Sequence, residues 1–188
     1  MVRSLPVVVL CWITACSAAH AGGVNLAWHE CWPEGGTVNH HFACTTDAAL
    51  HTAVGSFVLS ADMRDFVGIE VVLDIESSAE SLPDWWQFHN SGSCRQSALS
   101  VSADVTSAPQ VTCADPFNGL AAGAIAAYQT TTTTPAYFDS RGARLKVAFA
   151  VASANPLVAG TEYYGFRVTI NSTKTAGTGA CAGCEVPV

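Results

Sequence analysis

Leu145-Lys146-Val147-Ala148-Phe149-Ala150-Val151 and Tyr164-Gly165-Phe166-Arg167-Val168-Thr169-Ile170 decide the fold. In the first stretch the odd positions are large and apolar and the even ones small or charged. In the second, Tyr164, Phe166, Val168 and Ile170 are large, while Gly165, Arg167 and Thr169 alternate with them. A period of two marks a strand with one buried face, because successive side chains of an extended chain point to opposite sides. The pattern places Tyr164 inward and Tyr163 outward.

Short runs rich in β-branched and aromatic residues, set apart by Gly, Pro, Asp, Asn and Ser, predict further strands at 38–43, 53–59, 67–75, 99–105, 111–113 and 124–130. Residues 67–75 are apolar on both faces and read as a central strand. Helix signals are weak. The Ala-rich stretch 119–129 is interrupted by Gly123, residues 79–86 hold at most one turn, and the threonine tract 130–134 before Pro135 reads as an extended edge or loop. No repeat or linker divides the chain. The expectation is an all-β protein, a single β-sandwich of immunoglobulin-like or jelly-roll type over residues 22–188.

The first 21 residues read as a signal peptide. Arg3 precedes an apolar run at 5–15, and Ala19-His20-Ala21 satisfies the small-residue rule for cleavage after Ala21. The run is too short to span a bilayer, which takes roughly 20 residues, and no later stretch is longer, so no transmembrane span is expected. The rival reading is lipid attachment at Cys16, because Ile13-Thr14-Ala15-Cys16 resembles a lipobox. The expectation is a secreted or periplasmic mature chain, with a lipid-anchored one as the alternative. Eight Lys and Arg stand against fifteen Asp and Glu, a net charge of −7, with 12% of residues charged and no basic cluster. That balance excludes a nucleic-acid partner, since phosphate contacts need clustered cations.

Two of the eight cysteines fall in the leader. Cys31, Cys44, Cys94, Cys113, Cys181 and Cys184 remain, an even set that in an exported chain reads as a disulfide framework. Local pairing gives Cys31–Cys44, Cys94–Cys113 and Cys181–Cys184. The last pair is also a Cys-x-x-Cys motif, for which a zinc half-site or a redox pair are the rival readings.

Candidate ligand-facing aromatics are Trp85, Trp86 and Tyr163. In an extended Leu82-Pro83-Asp84-Trp85-Trp86 one tryptophan faces out, where it could stack on a sugar ring. Trp28 and Trp32 flank Cys31 and are expected to pack on its disulfide. His29, His40, His41 and His51 cluster near the N-terminus, and His29, one of His40 or His41, and Glu30 or Glu34 form a candidate metal set that no His-Glu-x-x-His motif supports. No Gly-x-Ser-x-Gly stretch is present; Asn90-Ser91-Gly92-Ser93-Cys94 comes nearest and fails the spacing. Neither a catalytic residue nor a cofactor follows from the residues. Asn171-Ser172-Thr173 matches a glycosylation sequon.

Gly23-Val24-Asn25-Leu26-Ala27-Trp28, Leu82-Pro83-Asp84-Trp85-Trp86, Thr161-Glu162-Tyr163-Tyr164 and the stretch from Lys174-Thr175-Ala176-Gly177 through Thr178-Gly179-Ala180-Cys181-Ala182-Gly183-Cys184 resemble segments of uncharacterised secreted bacterial proteins from environmental genomes. No activity comes with the resemblance. It implies relatives that run past the final Cys-x-x-Cys, and so an open sheet edge here at which another chain can add a strand. The functional expectation is a non-enzymatic binding or structural domain: cell-surface, adhesive or carbohydrate-binding, with a glycan or another protein chain as partner. The alternative is an exported metal-dependent or hydrolytic enzyme using the N-terminal histidines.

Overall fold

The computed structural model describes residues 22–32, 34–107, 111–130 and 140–188. The leader with Cys16 and Ala21, the turn at Ala108-Pro109, and the threonines at 131–134 with Pro135 lie outside the described residues. Seven strands follow in order: β1 Gly23–Trp28, β2 Leu50–Val58, β3 Met63–Glu76, β4 Leu99–Ser102, β5 Ala122–Thr130, β6 Gly142–Leu157 and β7 Glu162–Asn171. They form two antiparallel sheets, β1-β2-β7-β4 and β3-β6-β5, packed face to face as a disulfide-stapled sandwich. Among the described residues there is no α-helix.

The alternation read in β6 is realised. Leu145, Val147 and Phe149 are buried in the main core, and Phe166, Val168 and Ile170 of β7 meet them from the other sheet. The central strand of the smaller sheet is therefore β6. β3, expected in the centre, is an edge. Its inner face, Ile69, Val71, Leu73 and Ile75, packs on the core, while Glu70, Val72, Asp74 and Glu76 are exposed on the other. The period of two was present in 67–75, and Val72 on the outer face disguised it. Residues 38–43 form no strand. They follow one isolated bridge, Trp28 to Thr37, and are held instead by side-chain packing of His40 and Phe42. Residues 111–113 likewise lie outside any strand, beside a bridge from Ala114 to Tyr163.

A bulge at Gly165 overturns the expected orientation of the tyrosines. Gly55 and Ser56 of β2 pair with Phe166 and Tyr164, so β7 carries one extra residue. One inserted residue exchanges the faces of everything beyond it. Tyr163 turns inward, stacks on Phe57 with ring centroids 5.7 Å apart, and accepts a hydrogen bond from the Val158 amide at 2.7 Å. Tyr164 turns to the outer face of the four-stranded sheet. There it joins Val54, Cys31 and Cys113 in a second small core, with its hydroxyl donating to the Ser102 carbonyl at 3.0 Å. Both tyrosines are buried, so Tyr163 faces no ligand.

The six cysteines are all in disulfides, and all three locally guessed pairs are wrong. The bonds are Cys31–Cys113, Cys44–Cys184 and Cys94–Cys181, spanning 82, 140 and 87 residues. Proximity in sequence misled because the sheets, not the loops, bring the partners together. Cys181 and Cys184 go to different partners, so the Cys-x-x-Cys is neither a small loop, a redox pair nor a zinc half-site. Loops this long give the largest entropic restriction of the unfolded chain, about 4–5 kcal/mol each in the chain-entropy account.

Non-reducing peptide mapping should recover these three bonds and no Cys181–Cys184 loop. Replacing Cys44 and Cys184 together by Ala should lower the unfolding free energy by about 2–5 kcal/mol, read from denaturant midpoints.

Candidate functional site

Two features collect chemistry-bearing side chains: the aromatic end of the sandwich and its open flank. At the aromatic end, Pro83 leads into a single 3-10 turn, Asp84–Trp86. Such a turn does not send neighbouring side chains to opposite faces as a strand does, so neither tryptophan points to solvent. Trp85 is 0% and Trp86 3% exposed. They pack against each other at 4.9 Å and on Phe42 at 5.1 and 5.0 Å. This overturns their role as a sugar-stacking platform. Trp28 stacks on His40 at 4.5 Å, and Trp32 is half-exposed.

Arg95, which sequence reading passed over, lies buried over Trp85, its guanidinium carbon 3.6 Å from the ring centroid. It donates to the carbonyls of Thr173 at 3.0 Å, Trp85 at 2.9 Å and Asn171. Burial pushes its pKa down to about 10, opposed by the charge of Asp47, so it stays a cation at neutral pH. Trp85 Nε1 donates to Thr175 Oγ1 at 2.8 Å, and the Thr175 and Ala176 amides donate to Asp47, each at 2.8 Å. The end of β7 and the tail are thus tied to the tryptophan turn.

Beside them runs a polar chain. His40 Nε2 lies 2.7 Å from His51 Nδ1, and His51 Nε2 lies 3.0 Å from Ser172 Oγ. His51 is 4% and Ser172 0% exposed. His29, in the left-handed region at φ 75°, is exposed with its ring 4.9 Å from that of His40; His41 is exposed. Burial first, then the neighbouring His40, Arg95 and His29, pushes His51 down to about 4; burial, then His29 and His41, lowers His40. The pair is uncharged at neutral pH.

The candidate metal set is not assembled. Glu30 instead accepts the Cys31 and Thr112 amides at 2.7 and 3.0 Å, tying two loops together. Among the described residues, the three metal-type ligand groups that converge are Glu30, Cys31 and Cys113, and the two sulfurs are bonded to each other. The structure brings His40 to His51, a pairing that only the tertiary fold reveals.

The open flank arises because one sheet has four strands and the other three. β4 and β5 meet at one side. At the other, β1 overhangs. Val24 and Leu26 share the inner face of β1 opposite Phe57 and Gly55, yet are 70% and 49% exposed. A cleft of about 350 Å³ runs between the Val24 end of β1 and β3, lined by Val24, Phe57, Met63, Phe66, Ile69 and Glu70. Gly55 forms part of its wall, at a position where a Cβ would meet the Phe166 ring at 2.3 Å.

No family model, no curated protein and no solved structure matches this chain.

The histidine pair predicts an acid-labile fold. His51 titrates near 4 when folded and near 6.5 otherwise, so between those values the unfolded chain holds a proton that the folded one lacks. Its contribution is complete above pH 6.5 and is lost as pH falls towards 4. Urea midpoints should show about 2 kcal/mol lost between pH 7 and 5, and His51→Gln should flatten that slope.

Proposed function

We propose that the chain is an exported, non-enzymatic interaction or structural domain, working outside the cell or at its surface, with the partner engaged at the open flank. The observation that carries this reading is the overhang of β1: two inward-facing aliphatic side chains left in water on a rigid, cross-linked scaffold. Contiguous apolar surface that a fold leaves open is where partners bind. Three long-range disulfides fit an oxidising compartment, and no helix among the described residues is long and apolar enough to cross a membrane. Cleavage after Ala21 would leave β1 whole, since that strand starts at Gly23. Acylation at Cys16 would instead place a short tether before it.

The hydrolytic alternative has one observation behind it, the order Ser172–His51–His40, which is that of a nucleophile, its base and an orienting group. Ser172 is fully enclosed, so a substrate carbonyl has no approach to its hydroxyl. The interaction reading is the better supported.

A photo-reactive residue placed at Leu26 in the exported protein should give one discrete cross-linked product in its host, unaffected by Ser172→Ala. Intact mass should show a Gly22 N-terminus; a diacylated Cys16 would instead establish the lipoprotein. Stoichiometric zinc or copper lost on His29→Ala or His40→Ala would overturn the reading in favour of a metal enzyme.

A further inference from the structure

We propose that the open flank is a strand-acceptor site, which binds an extended segment of another protein as a fourth strand on the free edge of β3. This rests on the interaction reading above and names its partner class. β3 is paired on one side only, to β6, in regular antiparallel register from Gly68 with Ala150 to Glu76 with Gly142. Among the described residues no other backbone group hydrogen-bonds to that stretch from the flank. Its outward N–H and C=O groups are therefore a template for one more strand.

A strand laid there would lie opposite β1, in the place where the three-stranded sheet falls short of the four-stranded one. Its inward side chains would enter the cleft and cover Val24, Leu26 and Met63, all exposed. Because successive side chains alternate, the occupant must carry aliphatic residues at every second position.

Charge decides what faces outward, and it disfavours a second copy of this chain. The outer face of β3 bears Glu70, Asp74 and Glu76. Asp74 is bonded to Arg144 at 2.7 and 2.8 Å, and Glu76 pairs with Arg141 at 3.2 Å. No described cation pairs with Glu70. Two β3 edges brought together would oppose carboxylate to carboxylate, which is destabilising across a ladder. A donor strand with Lys or Arg beside Glu70 gains a cross-strand ion pair instead. The fitting occupant is an extended, aliphatic-alternating, basic segment of a different protein.

The test uses the exported, oxidised protein and fluorescein-labelled peptides alternating valine with threonine, with either one lysine or one glutamate at a threonine position. The lysine peptide should bind about tenfold more tightly than the glutamate peptide. Glu70→Lys should reverse that order, and Val24→Asp, at an exposed site, should weaken both. Hydrogen exchange should show new protection of amides within 68–76. No protection there with either peptide, or a preference unmoved by Glu70→Lys, overturns strand addition. So does sedimentation showing a dimer that Val24→Asp dissolves. If the Leu26 cross-link persists while β3 stays unprotected, strand addition fails and the interaction reading stands. If both vanish, both fail.

Discussion

The guanidinium of Arg95 is the interaction on which the aromatic end depends. A cation taken out of water is costly unless its donors are met, and here they are met by backbone carbonyls from the tryptophan turn and the end of β7, with the Trp85 ring beneath. Among the described residues no carboxylate forms an ion pair with it; Asp47 acts through its charge. Because the acceptors belong to segments far apart in sequence, satisfying one side chain fixes all of them together. The adjacent Cys94–Cys181 bond and the Trp85–Thr175 hydrogen bond then hold the tail where Arg95 needs it.

The bulge at Gly165 plays the corresponding part for the opposite face. A regular β7 would put Tyr164 in the main core and leave Tyr163 in water. The extra residue sends Tyr163 to Phe57, which stacks in turn on Phe66, and gives Tyr164 to a second core with Cys31 and Cys113. The four-stranded sheet thus gains a small second core on its outer face, around Tyr164, Val54 and the Cys31–Cys113 bond. On the flank, no strand among the described residues lies opposite β1.

These arrangements separate what is enclosed from what is offered. The hydrogen-bonded chain from Ser172 to His40 has catalytic residue types and no open nucleophile, and its low proton affinity follows from the same enclosure. The flank offers exposed apolar side chains and a free sheet edge together. Chemistry needs access, and in this fold the accessible apolar side chains lie on the flank while Ser172 and His51 are enclosed.

The sequence by itself determined the fold class, because a period of two survives in β6 and β7 whatever surrounds them, and it determined that the later cysteines are disulfides, because an even set of six outside the leader-like segment reads as a disulfide framework. Tertiary structure alone decided which cysteines meet, since a disulfide records distance in space and all three bonds join segments brought together by sheet pairing. It also decided the face of each tyrosine, through one inserted residue that hydrophobic periodicity does not register. The burial of Trp85 and Trp86 depends on a tight turn where an extended chain had been expected. The open flank depends on counting strands in two sheets. Neither quantity is local, so neither is written in any short stretch of the chain.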